Sequence, residues 1–100
     1  MSSEVYTVSQ IKNILTPVFR RHNVRRAILF GSYGKGRANE KSDLDILVDS
    51  GLKGLKFVGL IEEVREAVDK DIDMIDVSHL EKNSEIDSEI QETGVVIYEE

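Results

Sequence analysis

A glycine-rich turn between two apolar runs constrains the fold of this chain more than any other feature. The first run ends at Gly31-Ser32, and after ten intervening residues a second run begins with Asp43-Leu44-Asp45. Side chains alternate between the faces of a strand, so Asp43 and Asp45 point the same way. Their like charges repel unless a cation lies between them. A Gly-Ser turn can hold a phosphate through its backbone amides. The spacing therefore predicts one site for a polyphosphate and its magnesium ion.

Hydrophobic periodicity along the rest of the chain predicts alternating helices and strands. The order is helix, strand, a short helical turn, strand, helix, strand, helix, strand, which is typical of one α/β layer domain over residues 1–100. The predicted strands are residues 25–30, 43–48, 71–77 and 95–98, and the predicted second long helix has its apolar face between Phe57 and Val68.

Three local signals refine the helix limits. Thr7 and Gln10 have the spacing of a capping box before the first helix. Pro17 interrupts that helix at a typical cost of about 3 kcal/mol, so the helix either kinks or splits there. Ser84 is expected to cap the last helix, and Gly94 is expected to end it.

Composition excludes several classes of protein. The chain has no cysteine, which excludes a disulfide scaffold and a thiolate metal site and fits a cytoplasmic location. Neither a signal peptide nor an apolar run of membrane-spanning length is visible, so no membrane association is expected. The net charge of −6 argues against general nucleic-acid binding. Basic residues cluster within residues 1–41, however, so that segment could attract a triphosphate or an acidic partner.

Other familiar sites do not fit the residues. No Gly-Lys-Ser/Thr closes the turn as a Walker loop requires, and the glycine spacing differs from the dinucleotide fingerprint. An EF-hand would need an oxygen ligand at Leu47 and a glycine at Val48. His22 and His79 have no second His or Cys at metal-ligand spacing, and both are interpreted as ordinary surface or hydrogen-bonded histidines.

The combination of Gly31-Ser32, ten residues and Asp43-x-Asp45 between apolar strands resembles the nucleotidyltransferases related to DNA polymerase beta. It is most similar to the minimal nucleotidyltransferase family, whose members are about this short. The resemblance extends over nearly the whole chain and includes a third strand bearing an aspartate and a closing Gly-Val-x-x-Tyr. It implies the small nucleotidyltransferase fold, in which helices pack on a mixed β-sheet.

The resemblance also implies site residues. Gly31 and Ser32 would hold the β- and γ-phosphates of a nucleoside triphosphate. Asp43 and Asp45 would ligate Mg²⁺, and Asp73 would complete a second metal site and help activate the acceptor hydroxyl. Asp73 is expected to share a strand face with apolar residues, whereas Asp76 is expected to face solvent or cap the strand end.

Two basic residues follow the Gly-Ser turn. Lys35 and Arg37 could neutralise the phosphate tail, or they could be solvent-exposed loop charges. The family often carries an acidic residue where this chain has Arg37, so Arg37 departs from the usual pattern.

The acceptor is not specified by these motifs, because larger relatives recognise it with domains that this chain leaves no room for. The family resemblance implies an antitoxin that transfers AMP from ATP to a tyrosine of a HEPN-domain ribonuclease toxin. The alternative is a non-catalytic binding module that neutralises its partner by occlusion. Transfer to a small molecule such as an aminoglycoside is a third, weaker hypothesis. A homo-oligomer that completes acceptor recognition also stays open.

Overall fold

The computed structural model describes residues 5–39 and 41–100, which form four α-helices, a 3-10 turn and four strands. In chain order these are α1 (Val8–Arg21), β1 (Arg26–Phe30), α2 (Gly31–Gly34), β2 (Leu44–Asp49), α3 (Leu55–Val68), β3 (Ile72–Asp76), the 3-10 turn (Val77–His79), α4 (Glu85–Thr93) and β4 (Val95–Glu99). The predicted α/β order is confirmed, with limits within a few residues of those expected.

The strands form one mixed sheet in the order β3-β2-β1-β4. β1 is antiparallel to both of its neighbours, whereas β2 and β3 are parallel and are joined through α3. The C-terminal end of β1 therefore lies beside the N-terminal ends of β2 and β3. Asp45 of β2 is in register with Phe30 of β1 on one side and with Asp73 of β3 on the other.

The main hydrophobic core lies between the sheet and helices α1 and α3. Its fully buried members come from all of these elements: Ile11, Leu15, Phe19, Leu29, Leu44, Ile46, Leu60, Val64 and Ile97. A smaller cluster of Phe30, Leu47 and Ile90 lies on the opposite face, where α4 covers part of the sheet. The two clusters explain why the predicted strands carry apolar residues on both faces.

Helix α1 begins and continues as its sequence indicates. The Thr7 hydroxyl accepts from the Gln10 amide and the Gln10 side chain accepts from the Thr7 amide, so the capping box is confirmed. The helix continues through Pro17 without a break, so the alternative of two separate helices is wrong. The helix tolerates Pro17 because this position is exposed to solvent. The carbonyl that loses its helical hydrogen-bond partner can bond to water instead.

Helix α4 ends at Gly94, as predicted, but for a different reason than a left-handed glycine cap. Gly94 has a φ of −66°, which any residue adopts. A Cβ at this position would lie 2.4 Å from the Ile90 carbonyl oxygen and 2.8 Å from Ile28 Cγ2. Glycine is therefore required because the chain turns tightly over the Ile90 carbonyl of α4 and passes close to Ile28 of β1. Ser84 caps the other end of the helix through the Asp87 amide, as expected.

The expectation that Asp76 faces solvent is wrong, although Asp76 does cap the turn after β3. Its side chain is buried and accepts four hydrogen bonds, from the amide and hydroxyl of Ser50 and from those of Ser78. Burial opposes ionisation, but the four hydrogen bonds outweigh it and lower the pKa of Asp76 to about 2. Asp76 thus joins the C-terminal ends of β2 and β3, at the end of the sheet opposite Asp45.

We expect Asp76→Ala to destabilise the fold by about 2–4 kcal/mol, because it leaves buried donors on Ser50 and Ser78 without an acceptor. The stabilisation that Asp76 provides should be complete above its unfolded pKa near 4 and be lost as the pH falls toward 2. Urea denaturation at neutral and acidic pH measures this, with the exposed neighbour Asp71→Ala as the matched control. Equal stability of the two variants would contradict the assignment.

Candidate active site

The predicted site residues meet at one end of the sheet. Gly31 and Ser32 begin α2 directly after β1 ends, and Asp45 and Asp73 stand at the starts of β2 and β3. Asp45 and Asp73 are cross-strand partners, so their side chains lie on the same face of the sheet. The Gly-Ser turn, Asp45 and Asp73 are therefore at the same end of the sheet.

Gly31 is required where Asp45 approaches the turn. Its φ is +71°, a left-handed conformation that favours glycine, and a Cβ built there would stand 2.3 Å from Asp45 Oδ2. The Asp45 carboxylate thus lies directly over the backbone of Gly31. This contact joins the two halves of the motif in one site.

Asp45 carries the clearest electrostatic signature of the site. Burial raises the pKa of the half-buried Asp45 carboxyl to about 6, and repulsion from Asp73 adds to the rise. The charges of Glu89 and Asp43 raise it further. Three other carboxylates therefore surround Asp45, and their combined negative charge would attract a cation to this place.

The other two aspartates differ from Asp45 in their exposure. Asp43 is exposed and lies just before β2 begins. Asp73 is also exposed, so the expectation of an apolar setting beside Ile75 and Val77 is wrong. β3 is an edge strand of the sheet, which leaves Asp73 open to solvent, and Val77 lies beyond the strand in the 3-10 turn.

Ser32 and the two basic residues lie around the short helix α2. Ser32 is half-buried, and its carbonyl accepts from the Arg37 amide at 2.8 Å, which closes the turn after the helix. Lys35 and Arg37 are exposed and line an open hollow of about 530 Å³ beside the end of α4 and the start of β4. That hollow does not include the three aspartates, so the structure does not bring the two basic residues together with them.

Two residues of α4 belong to the site but carry no motif in the sequence. Glu89 is close enough to raise the pKa of Asp45. The Thr93 hydroxyl accepts from the Gly31 amide at 3.4 Å and donates to the Glu89 carbonyl at 2.7 Å. A Cβ on Gly34 would lie 2.3 Å from the Thr93 carbonyl oxygen, so α4 lies directly against α2. The sequence gives no signal for these contacts, because they arise from the packing of α4 on the distant Gly31–Gly34 segment.

Loss of the Thr93 hydroxyl should have a measurable effect on stability. We expect Thr93→Val to lower the free energy of unfolding by about 1 kcal/mol, because both hydrogen bonds disappear while the side-chain volume is kept. Thr93→Ser retains the hydroxyl and is the matched control. Thermal unfolding of the two variants measures the difference, and a Ser variant no more stable than the Val variant would contradict this role.

The donor chemistry of the site suits magnesium, but the side chains alone do not enclose an ion. Carboxylate oxygens are the ligands that Mg²⁺ prefers, and Mg²⁺ usually takes only one or two of them together with phosphate oxygens and water. Within residues 5–39 and 41–100, no group of three His, Cys, Asp or Glu side chains stands close enough together to hold a metal ion. A bound ion would therefore need further ligands from the nucleotide.

Comparison with known proteins identifies the family. Residues 10–100 match the family described as "Polymerase beta, Nucleotidyltransferase". The chain belongs to this nucleotidyltransferase family. The predicted family resemblance and fold class are thereby confirmed, and the chain is an enzyme of the nucleotidyltransferase class.

The curated relatives of this nucleotidyltransferase are named for protein adenylylation. It is 38% identical over 80 residues to protein adenylyltransferase MntA of Thermococcus cleftensis, a match that covers 74% of this chain and 81% of MntA. It is 32% identical over 97 residues to MJ0128 of Methanocaldococcus jannaschii, also named for protein adenylyltransferase activity, with coverage of 91% and 98%.

Solved structures of toxin–antitoxin complexes contain the same fold. One is a toxin–antitoxin crystal structure with AMP-PNP, which aligns with a TM-score of 0.75 at 22% identity and covers 89% of this chain and 73% of that chain. Another is the tri-AMPylated Shewanella oneidensis HEPN toxin with its MNT antitoxin, with a TM-score of 0.70, 20% identity and coverage of 93% and 73%. Within the part of this chain that the structure describes, no helix has the length and apolar character needed to span a membrane.

Proposed function

We propose that this nucleotidyltransferase uses ATP and Mg²⁺ to transfer AMP to a hydroxyl of a HEPN-type toxin, and that it acts in this way as an antitoxin in the cytoplasm. The observation that carries the proposal is the contact of Asp45 with the backbone of Gly31, which unites the carboxylates with the Gly-Ser turn. The names of its relatives and the toxin complexes that share its fold support the choice of nucleotide and partner. A tyrosine is the expected acceptor.

Each residue of the site has a role in this proposal. Gly31 and Ser32 bind the phosphate tail through the turn at the start of α2, and the α-phosphate then lies toward Asp45. Asp43 and Asp45 would hold Mg²⁺, and Asp73 would complete the second of two ion sites. When bound, Mg²⁺ neutralises the triphosphate and stabilises the charge of the leaving group.

The reaction balances as an in-line displacement at the α-phosphate. The acceptor hydroxyl oxygen forms a bond to the α-phosphorus, and the bond from that phosphorus to the oxygen bridging the α- and β-phosphates breaks. Pyrophosphate leaves from the side of Gly31 and Ser32. The hydroxyl proton passes to the exposed Asp73 carboxylate and then to solvent, since Asp73 lies at the open edge of the site.

Lys35 and Arg37 stay candidates for phosphate contacts. They flank the same turn as Gly31 and Ser32, but they line the hollow on the α4 side. A long basic side chain can reach across a turn of this size, and the phosphate tail is the strongest anion that it would meet there.

Occlusion of the toxin without chemistry is the second candidate function. The uneven distribution of charge favours it, because the basic residues that cluster within residues 1–41 could attract an acidic partner without any chemistry. The two functions differ in their dependence on Asp43 and Asp45.

Neutralisation of a purified HEPN-type toxin separates the two candidates. Wild type with ATP and Mg²⁺ should label the toxin from ATP that carries the label in its α-phosphate, and should abolish the toxin's ribonuclease activity. The double variant Asp43→Asn/Asp45→Asn should bind the toxin without labelling or inactivating it. Inactivation by the double variant would instead establish occlusion. Label transfer that persists in the double variant would contradict the assigned site.

A further inference from the structure

The outer edge of β4 is an unpaired strand edge. In the part of the chain that the structure describes, β4 is hydrogen-bonded only to β1, so the sheet ends there. A strand edge presents a row of backbone donors and acceptors that can pair with another extended chain. The exposed residues Val96 and Glu99 leave this edge accessible.

A groove follows this edge. It has a volume of about 400 Å³ and is lined on one side by Lys12, Thr16 and Arg20 of α1 and on the other by the last four residues of β4. At Val95 it is followed by the hollow of about 530 Å³ that Lys35 and Arg37 line. Lys12 and Arg20 therefore stand along the strand edge, and Lys35 and Arg37 stand beside its first residue.

Four exposed basic side chains line the groove and the hollow that follows it. Lys12, Arg20, Lys35 and Arg37 are all exposed, and none takes part in the ion pairs found among residues 5–39 and 41–100, which join Glu62 or Glu63 to other partners. Among the described residues that line the two cavities, the acidic ones are Glu92 and Glu99. The edge thus carries an excess of positive charge although the whole chain has a net charge of −6.

The spacing of the charges on α1 matches that of a strand. The rings of Phe19 and Tyr98 are in contact at a centroid distance of 5.6 Å, and Lys12 and Arg20 line one groove with β4, so α1 lies beside this strand. Eight residues of helix rise about 12 Å. Four residues of a strand span about 13 Å, and side chains four residues apart point to the same face. Two carboxylates at that spacing on an added strand would face Lys12 and Arg20.

We propose that the outer edge of β4 binds an extended acidic segment of a partner protein as a fifth strand of the sheet. Backbone hydrogen bonds would supply the pairing, and the basic residues of the groove would select acidic side chains. A second copy of this chain fits less well. Antiparallel pairing of two β4 edges would bring two α1 helices together and set Lys12 of one copy opposite Arg20 of the other.

A bulge limits the length of the added strand. The register between β1 and β4 shifts between Ala27 and Ile28, which leaves one extra residue in β4. Bulges increase the local twist of a strand, so we expect pairing over only part of β4. The charges would then contribute a large share of the affinity. The proposal does not depend on nucleotide transfer, because Lys12 and Arg20 are outside the catalytic site.

Binding of a labelled peptide to the full chain tests this proposal. The probe is a ten-residue peptide of alternating glutamate and valine, measured by fluorescence anisotropy. We expect saturable binding that weakens with added salt, and the variant Lys12→Glu/Arg20→Glu should lower the affinity about tenfold. Lys56→Glu/Lys82→Glu changes the same charge at exposed positions elsewhere and should bind like wild type.

Two further peptides test the strand geometry and the charge selection. A peptide methylated on its backbone nitrogens should not bind, because it cannot pair with the strand edge. A peptide of alternating lysine and valine should bind at least about tenfold more weakly than the acidic one. Equal binding of the lysine peptide, or no binding of the acidic peptide, would overturn the proposal. So would a dimer in sedimentation that dissociates in the Lys12→Glu/Arg20→Glu variant.

Discussion

Asp45→Asn is expected to abolish nucleotidyl transfer while making the metal-free protein more stable at neutral pH. The asparagine keeps the shape of the side chain and removes the negative charge. We expect a loss of at least about 1000-fold in transfer, because Asp45 is the proposed ligand of the ion beside the α-phosphate. Transfer of label from the α-phosphate of ATP measures the first effect, and urea denaturation measures the second.

The gain in stability follows from the raised pKa of Asp45. Its folded pKa of about 6 lies above the unfolded value of 3.8, so the folded state binds the proton more tightly. The charged carboxylate therefore destabilises the fold fully above pH 6, and this cost disappears as the pH falls toward 4. Because the group is only half-buried, we expect a gain of about 1 kcal/mol at pH 8 and almost none at pH 4.

Asp43→Asn is the matched control for Asp45→Asn. Its replacement should impair transfer, because Asp43 is a proposed ligand of the ion. It should not bring a comparable gain in stability, because Asp43 is exposed and contributes least to the raised pKa of Asp45. A gain in stability for Asp45→Asn that is independent of pH, or equal for both variants, would contradict the electrostatic account of the site.

Gly31→Ala is the second change with a large expected effect. The Cβ of alanine would overlap Asp45 Oδ2, and the left-handed φ of +71° adds strain of about 1–2 kcal/mol. The carboxylate must move away from the turn. A displacement of about 1 Å at a reacting centre can lower the rate about 100-fold, and we expect a loss of that size in transfer.

Gly36→Ala isolates the displacement of Asp45 from backbone strain. Gly36 has the same φ of +71°, but a Cβ there meets nothing within 4 Å. The Gly36→Ala variant should therefore lose about as much stability from backbone strain as the Gly31→Ala variant, while its rate of transfer remains close to that of wild type. Equal losses of transfer in the two alanine variants would show that strain in the turn, and not the position of Asp45, limits the reaction.

The sequence was sufficient to predict the order of the elements and the central motif. The ten-residue spacing placed Gly31 beside Asp45, and the family resemblance added Asp73. The structure has all three at the same end of the sheet. Local signals such as the capping box at Thr7 were also predictable, since they depend only on residues close in the chain.

Features that depend on packing between distant segments were not predictable in the same way. Asp76 is buried because Ser50, 26 residues away, satisfies its carboxylate. Glu89 and Thr93 join the site only because α4 lies against α2. Pattern alone also gave Asp73 an apolar setting, whereas the sheet ends at β3 and leaves it exposed.

The most direct test of the central claim compares ATP labelled at the α-phosphate with ATP labelled at the γ-phosphate, using the same toxin acceptor. If the protein transfers AMP at the site that contains Asp45, the acceptor takes up label from the α-phosphate only, and Asp45→Asn abolishes the uptake. Uptake from the γ-phosphate, or uptake from the α-phosphate that survives Asp45→Asn, would contradict nucleotidyl transfer at this site.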